Sequence, residues 1–140
     1  MTDAMQRAFH RIVEAILAPV RARRRGFELL KSNLNPRQVD QFNRERVFEV
    51  YGGATGRHYR IRRGWSMNID EIGTGGSVVK TWCFYPKGWL CVGDVLLAQK
   101  VALETFELEA LGVGNFQCPN TDAGTDSNGP AGTLVRSHLK

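Results

Sequence analysis

The chain has 140 residues, fifteen of them glycine and five proline, with a formal net charge of +5. That length fits one domain with a modest core, and no apolar run approaches the length a membrane-spanning helix needs. An odd number of cysteines, and an N-terminus interrupted by Arg7, His10 and Arg11, argue against a disulfide framework or a cleaved secretory leader and point to the cytoplasm.

In chain order, Met5, Phe9, Ile12, Val13, Ile16 and Val20 recur at spacings of three and four, which predicts an amphipathic helix. Pro19 is expected to kink or end it, because proline removes a backbone donor and crowds the preceding turn. Arg21, Arg23, Arg24 and Arg25 follow, then Phe27, Leu29 and Leu30. Asn35 reads as an N-cap with Pro36 in the first helical turn, and the short helix that follows runs through Gln38 and Phe42 to about Arg44.

From Arg46 the period changes to two. Strands are predicted over Val47–Tyr51, Arg57–Arg62, Met67–Ile72 and Val78–Tyr85, separated by turns at Gly52–Gly56 and Gly73–Gly76. If Phe48, Val50, Tyr59 and Ile61 share the core face, Phe48 lies opposite Tyr59 or Ile61, and Glu49 lies on the outer face opposite His58 or Arg60. Asp94 reads as the N-cap of a last helix running to about Leu111, ended by Gly112 and Gly114. Everything after about Phe116 is rich in small and polar residues and reads as a disordered tail.

The predicted fold is therefore α+β: a four-stranded antiparallel meander packed against one C-terminal helix, with N-terminal helical segments. Residues 1–32 form an amphipathic, basic N-terminal segment, 33–115 the core domain and 116–140 the tail. The order Asn35-Pro36 and Gln38, Phe48-Glu49-Val50, Thr55-Gly56-Arg57-His58-Tyr59-Arg60-Ile61, Gly64, Asn68, Trp82-Cys83-Phe84, Gly93 to Lys100, Leu103-Glu104 and Glu107 resembles an uncharacterised family of small bacterial and phage-type proteins. The resemblance spans 33–115 and implies the limits of the domain, but no particular activity.

Charge supplies the main functional lead. Residues 1–90 hold sixteen Lys and Arg against eight Asp and Glu, whereas residues 91–140 hold three against six. Such asymmetry suggests a polyanionic partner for the N-terminal part. The candidate contacts are Arg57, Arg60, Arg62 and Arg63 on or beside the second strand, the cluster Arg21, Arg23, Arg24 and Arg25, and Trp65 as a stacking ring for nucleic acid. The plain alternative is a solvated strand face neutralised by Glu49.

The Gly52–Gly56 loop with Arg57 invites a phosphate-cradle reading, but it lacks the P-loop lysine and hydroxyl, and a strand reversal with positive φ explains its glycines more simply. The N-terminal helix suits packing on the domain, on a second copy or on a protein partner better than a membrane surface. Cys83 and Cys91, with His10, His58 and His138, lack the short paired spacing of a metal site. Asp70 and Glu71 point to opposite faces of a strand and cannot act together as acid and base.

Lys100 is expected to pair with Glu104, and Asn68 to hydrogen-bond its own backbone. No cofactor or small-molecule substrate is evident. The expectation is thus a non-enzymatic binding or accessory module acting on nucleic acid or another polyanion. The alternative is a virion, membrane-surface or protein-assembly component that works through its N-terminal helix.

Overall fold

A computed structural model describes residues 3–88 and 90–119. Helices α1 (Asp3–Ser32) and α2 (Pro36–Glu45) lead into strands β1 (Val47–Tyr51), β2 (His58–Arg62), β3 (Ile69–Ile72) and β4 (Val78–Cys83). Helices α3 (Val92–Thr105) and α4 (Glu107–Val113) follow, then a short strand β5 (Asn115–Gln117). The sheet is an antiparallel meander in the order β1-β2-β3-β4-β5. Among the described residues no helix is long and apolar enough to cross a membrane.

Alternation in β1 and β2 sets the register. Phe48 pairs with Ile61, Glu49 with Arg60 and Val50 with Tyr59. Leu30, Phe42, Phe48, Val50, Tyr59, Ile61, Ile69, Trp82, Leu96 and Leu103 form one core. Helix α3 lies on the sheet, and the C-terminal part of α1 packs on α3. A Cβ built on Gly93 would stand 2.3 Å from the backbone carbon of Gly26, so the two helices touch backbone to backbone. At the start of α2, Asn35 accepts from the Gln38 amide at 2.9 Å while the Gln38 side chain accepts from the Asn35 amide at 3.0 Å, a complete capping box.

Several expectations are corrected. Helix α1 does not end at Pro19; it continues through Pro19 to Ser32. Pro19 lies in an exposed stretch, where water can satisfy the carbonyl that proline leaves without a donor. The sheet has five strands, because Asn115–Gln117 pairs with β4 and brings Phe116 to 5.0 Å from Trp82, centroid to centroid.

The last helix begins at Val92, two residues before Asp94, and breaks at Phe106, whose φ is −130° and ψ 41°. The break has a tertiary cause: the Gly53 amide donates to the Leu103 carbonyl at 3.0 Å, taking the acceptor that a continuous helix would offer to the Glu107 amide. The 32/33 and 115/116 limits also cut through packed structure. Leu30 is fully buried in the core, and Phe116 packs against it. The tail reading for 120–140, with His138, lies outside the described residues.

Candidate polyanion-binding groove

The candidate arginines divide into two groups by their partners. On the outer face of the sheet, Arg62 binds Asp70 through Nε at 2.8 Å and Nη2 at 3.2 Å, and Nη2 also donates to the Met67 carbonyl at 2.6 Å. On the same face Arg60 lies 4.0 Å from Glu49, whereas Arg57 lies 3.9 Å from Glu71, on the Tyr59 side of the sheet. Glu49 also takes Arg37 at 3.1 Å and faces His58 at 3.4 Å. These carboxylates are largely buried and fixed, so each strand arginine already carries a counter-charge. Asp70 and Glu71 do face opposite ways. Asp70 accepts from Thr81 at 2.9 Å, whereas Glu71 accepts from the Trp82 indole at 2.9 Å.

A second set of cations surrounds a groove of about 340 Å³ between α1, the end of α2 and the end of β2. On α1, the helical period brings Val20, Arg23, Arg24, Phe27 and Lys31 to one side. Arg46 enters from the C-cap of α2 and Arg63 from the residue after β2. The Arg63 amide donates to the Arg46 carbonyl at 2.9 Å, which ties the two together. Phe42 and Phe27, 6.0 Å apart by ring centroid, form the floor, and the Arg63 guanidinium sits 4.9 Å above the Phe27 ring.

Among the described residues no carboxylate lies within 4.0 Å of Arg23, Lys31, Arg46 or Arg63. Arg24 alone has one, Glu28 at 2.8 Å, and both of those side chains are exposed.

Arg46 holds a left-handed conformation, φ 60° and ψ 28°, at a position where helices usually place glycine. A non-glycine residue there costs on the order of 1 kcal/mol. Its amide still donates to the Phe42 carbonyl at 3.0 Å, so the cap geometry is kept at the expense of the side chain.

Of the remaining candidates, Arg21 is paired with Glu14 at 2.8 Å, while Arg25 and Trp65 are exposed but do not line the groove. No local pattern in the sequence marks Arg46 or Lys31. They join Arg23 and Arg63 only because Gly26 and Gly93 let α1 dock where it does.

The glycine loop between β1 and β2 holds an anion from the chain itself. Glu107 is 1% exposed and accepts from the amides of Ala54 (2.9 Å) and Thr55 (2.8 Å), from the Thr55 hydroxyl, and from the Tyr59 hydroxyl (2.7 Å). Burial alone would raise the pKa of Glu107. The hydroxyls of Thr55 and Tyr59 and the two amides outweigh it and hold the carboxyl below its usual range. Burial, the bond to Glu107 and the charges of Glu107 and Glu71 push Tyr59 far above the usual phenol range. Only Gly56 in this loop has positive φ, at 70°. Gly52 and Gly53 are small for another reason: added Cβ atoms would stand 2.1 Å from a Glu107 oxygen and 2.0 Å from the Glu104 carbonyl oxygen.

Asn68 and Gln99 form a buried amide pair. Asn68 Nδ2 donates to Gln99 Oε1 at 2.8 Å, and Gln99 Nε2 donates to Asn68 Oδ1 at 3.0 Å. Asn68 also donates to the Arg62 carbonyl at 3.0 Å, which braces the end of β2 beside Arg63. Lys100 pairs with Glu104 at 2.6 Å.

Comparison of the chain with protein-family models, curated proteins and solved structures gives no match.

Proposed function

We propose that this domain is a non-catalytic module that binds a polyanion, with nucleic acid the ligand class, through the groove lined by Arg23, Lys31, Arg46 and Arg63. One observation carries the reading: four cationic side chains converge on one concavity, and among the described residues no carboxylate lies within 4.0 Å of them. Exposed phosphates offer such side chains charge-assisted hydrogen bonds, and binding releases counter-ions from the polyanion. Cations around an apolar floor suit a sugar–phosphate backbone lying along the groove, so affinity is expected to depend weakly on sequence.

The reading moves the working residues away from Arg57, Arg60 and Arg62. Those three are already paired with Glu71, Glu49 and Asp70. A pair of triple variants separates the two surfaces in fluorescence-anisotropy titrations with random single-stranded and duplex oligonucleotides at low salt. Changing Arg23, Arg46 and Arg63 to Ala is expected to weaken binding by at least ~100-fold, at roughly 1 kcal/mol or more for each phosphate contact. Changing Arg57, Arg60 and Arg62 to Ala is expected to lower stability far more than affinity. Binding lost only in the sheet-face variant, or absent from the native protein, rejects the groove.

A further inference from the structure

The first two-thirds of α1 stand apart from the core, since the only buried residues of the helix are Gly26 and Leu30. On that free stretch, Met5, Phe9, Ile12, Ile16 and Val20 are each 58–65% exposed. These five side chains continue the stripe that Gly26 and Leu30 bury against the domain. They follow one another at four, three, four and four residues, the step of a helix-pairing seam.

We infer that this stripe is a self-association surface, on which α1 of a second copy of this chain lies antiparallel. Three features select that occupant. Between Ala4 and Val20 every position on or beside the seam is uncharged: Gln6, Ala8, Val13, Ala15 and Pro19 flank the large side chains. Arg7, Arg11 and Glu14 fall on the far side. The stripe is also its own complement when reversed. About a two-fold axis between Ile12 and Val13, Met5 meets Val20, Phe9 meets Ile16 and Ile12 meets Val13, as an isologous contact requires.

The third feature is charge. A parallel pair would set Arg23, which lies on the seam, against its own copy, whereas the antiparallel pair brings Asp3 of one copy to the basic end of the other.

The strip runs about 24 Å along the helix at ~1.5 Å per residue. Two such faces bury on the order of the 1,200 Å² total that a specific interface needs. A lipid surface fits less well. Arg7 and Arg11 are offset by Asp3 and Glu14 over residues 3–20, so the stripe itself carries no net attraction to anionic headgroups.

Sedimentation of the full chain across the micromolar range is expected to show a reversible dimer. Phe9→Asp, at an exposed position outside the core, is expected to weaken it by more than ~100-fold and leave the folded domain unchanged by circular dichroism. Orientation is read by disulfide capture in a Cys118→Ser background. Phe9→Cys with Ile16→Cys together are expected to give a cross-linked dimer, and Phe9→Cys alone is not. A chain that stays monomeric at every concentration overturns the inference. So does a dimer that survives Phe9→Asp, capture by Phe9→Cys alone, or binding of phosphatidylglycerol vesicles by monomers that do not pair. None of these outcomes depends on nucleic-acid binding.

Discussion

The Tyr59 hydroxyl donates to Glu107 Oε1 at 2.7 Å and joins the second strand to the last helix through a buried carboxylate. The same carboxylate receives both amides at the tip of the β1–β2 loop, so one side chain fixes strand, loop and helix together. The loop's capacity to hold an anion is thereby used inside the molecule, and the cationic groove between α1, α2 and the end of β2 is built without it.

Replacing Glu107 by Gln removes the charge that these donors share. The variant is expected to lose about 2 kcal/mol near neutral pH, read as a lower midpoint in urea. The pH profile gives the sharper test. Glu107 ionises more easily folded than unfolded, so its contribution is complete above the ordinary value of 4.5 and fades as pH falls through the lower folded value. Tyr59 keeps its proton longer when folded, so stability also falls as pH rises above its ordinary value of 10.0. Wild type is expected to lose stability at both ends relative to Glu107→Gln. Parallel profiles for the two proteins would contradict the clamp.

Gly93→Ala tests the contact that positions α1. Its Cβ would meet Gly26 backbone atoms at 2.3 Å, and backbone cannot swing aside as a side chain can. The variant is expected to lose about 1–3 kcal/mol of stability. It should also displace Arg23 and Lys31 from the groove and weaken polyanion binding in protein that remains folded. Thermal melts and anisotropy measured on one preparation check both effects.

Much of the architecture is legible in the chain because it rests on local pattern. Alternation from Val47 to Ile61 allows two registers, and the structure adopts the one that pairs Phe48 with Ile61 and Glu49 with Arg60. Asn35, Pro36 and Gln38 announce the start of α2. The break at Phe106 is not legible, since no glycine or proline marks it; it comes from the distant Gly53 amide, which takes the Leu103 carbonyl. Strand β5 offers only Phe116 as an apolar signal across three residues.

The groove shows the same limit. Alternation places Arg60, Arg62 and Glu49 on the outer face but does not show that Asp70 grips Arg62, and Arg46 and Lys31 join Arg23 and Arg63 through helix docking alone.

Arg46 offers a trade between stability and binding. Glycine suits its left-handed backbone, so Arg46→Gly is expected to raise stability by about 0.5–1 kcal/mol while lowering polyanion affinity several-fold. A denaturant titration paired with an oligonucleotide titration checks the two signs. A variant less stable than wild type would mean that the side chain, rather than the cap, governs this corner of the fold.

The most direct test of the groove is the dependence of nucleic-acid affinity on salt. For wild type, the logarithm of the association constant with a duplex oligonucleotide is expected to fall linearly with the logarithm of salt concentration, and each lost phosphate contact should reduce the slope by about 0.9. Single changes of Arg23, Lys31, Arg46 and Arg63 to Ala should each remove about one such unit, whereas Arg60→Ala should leave the slope unchanged. A slope insensitive to all four groove substitutions would contradict the account.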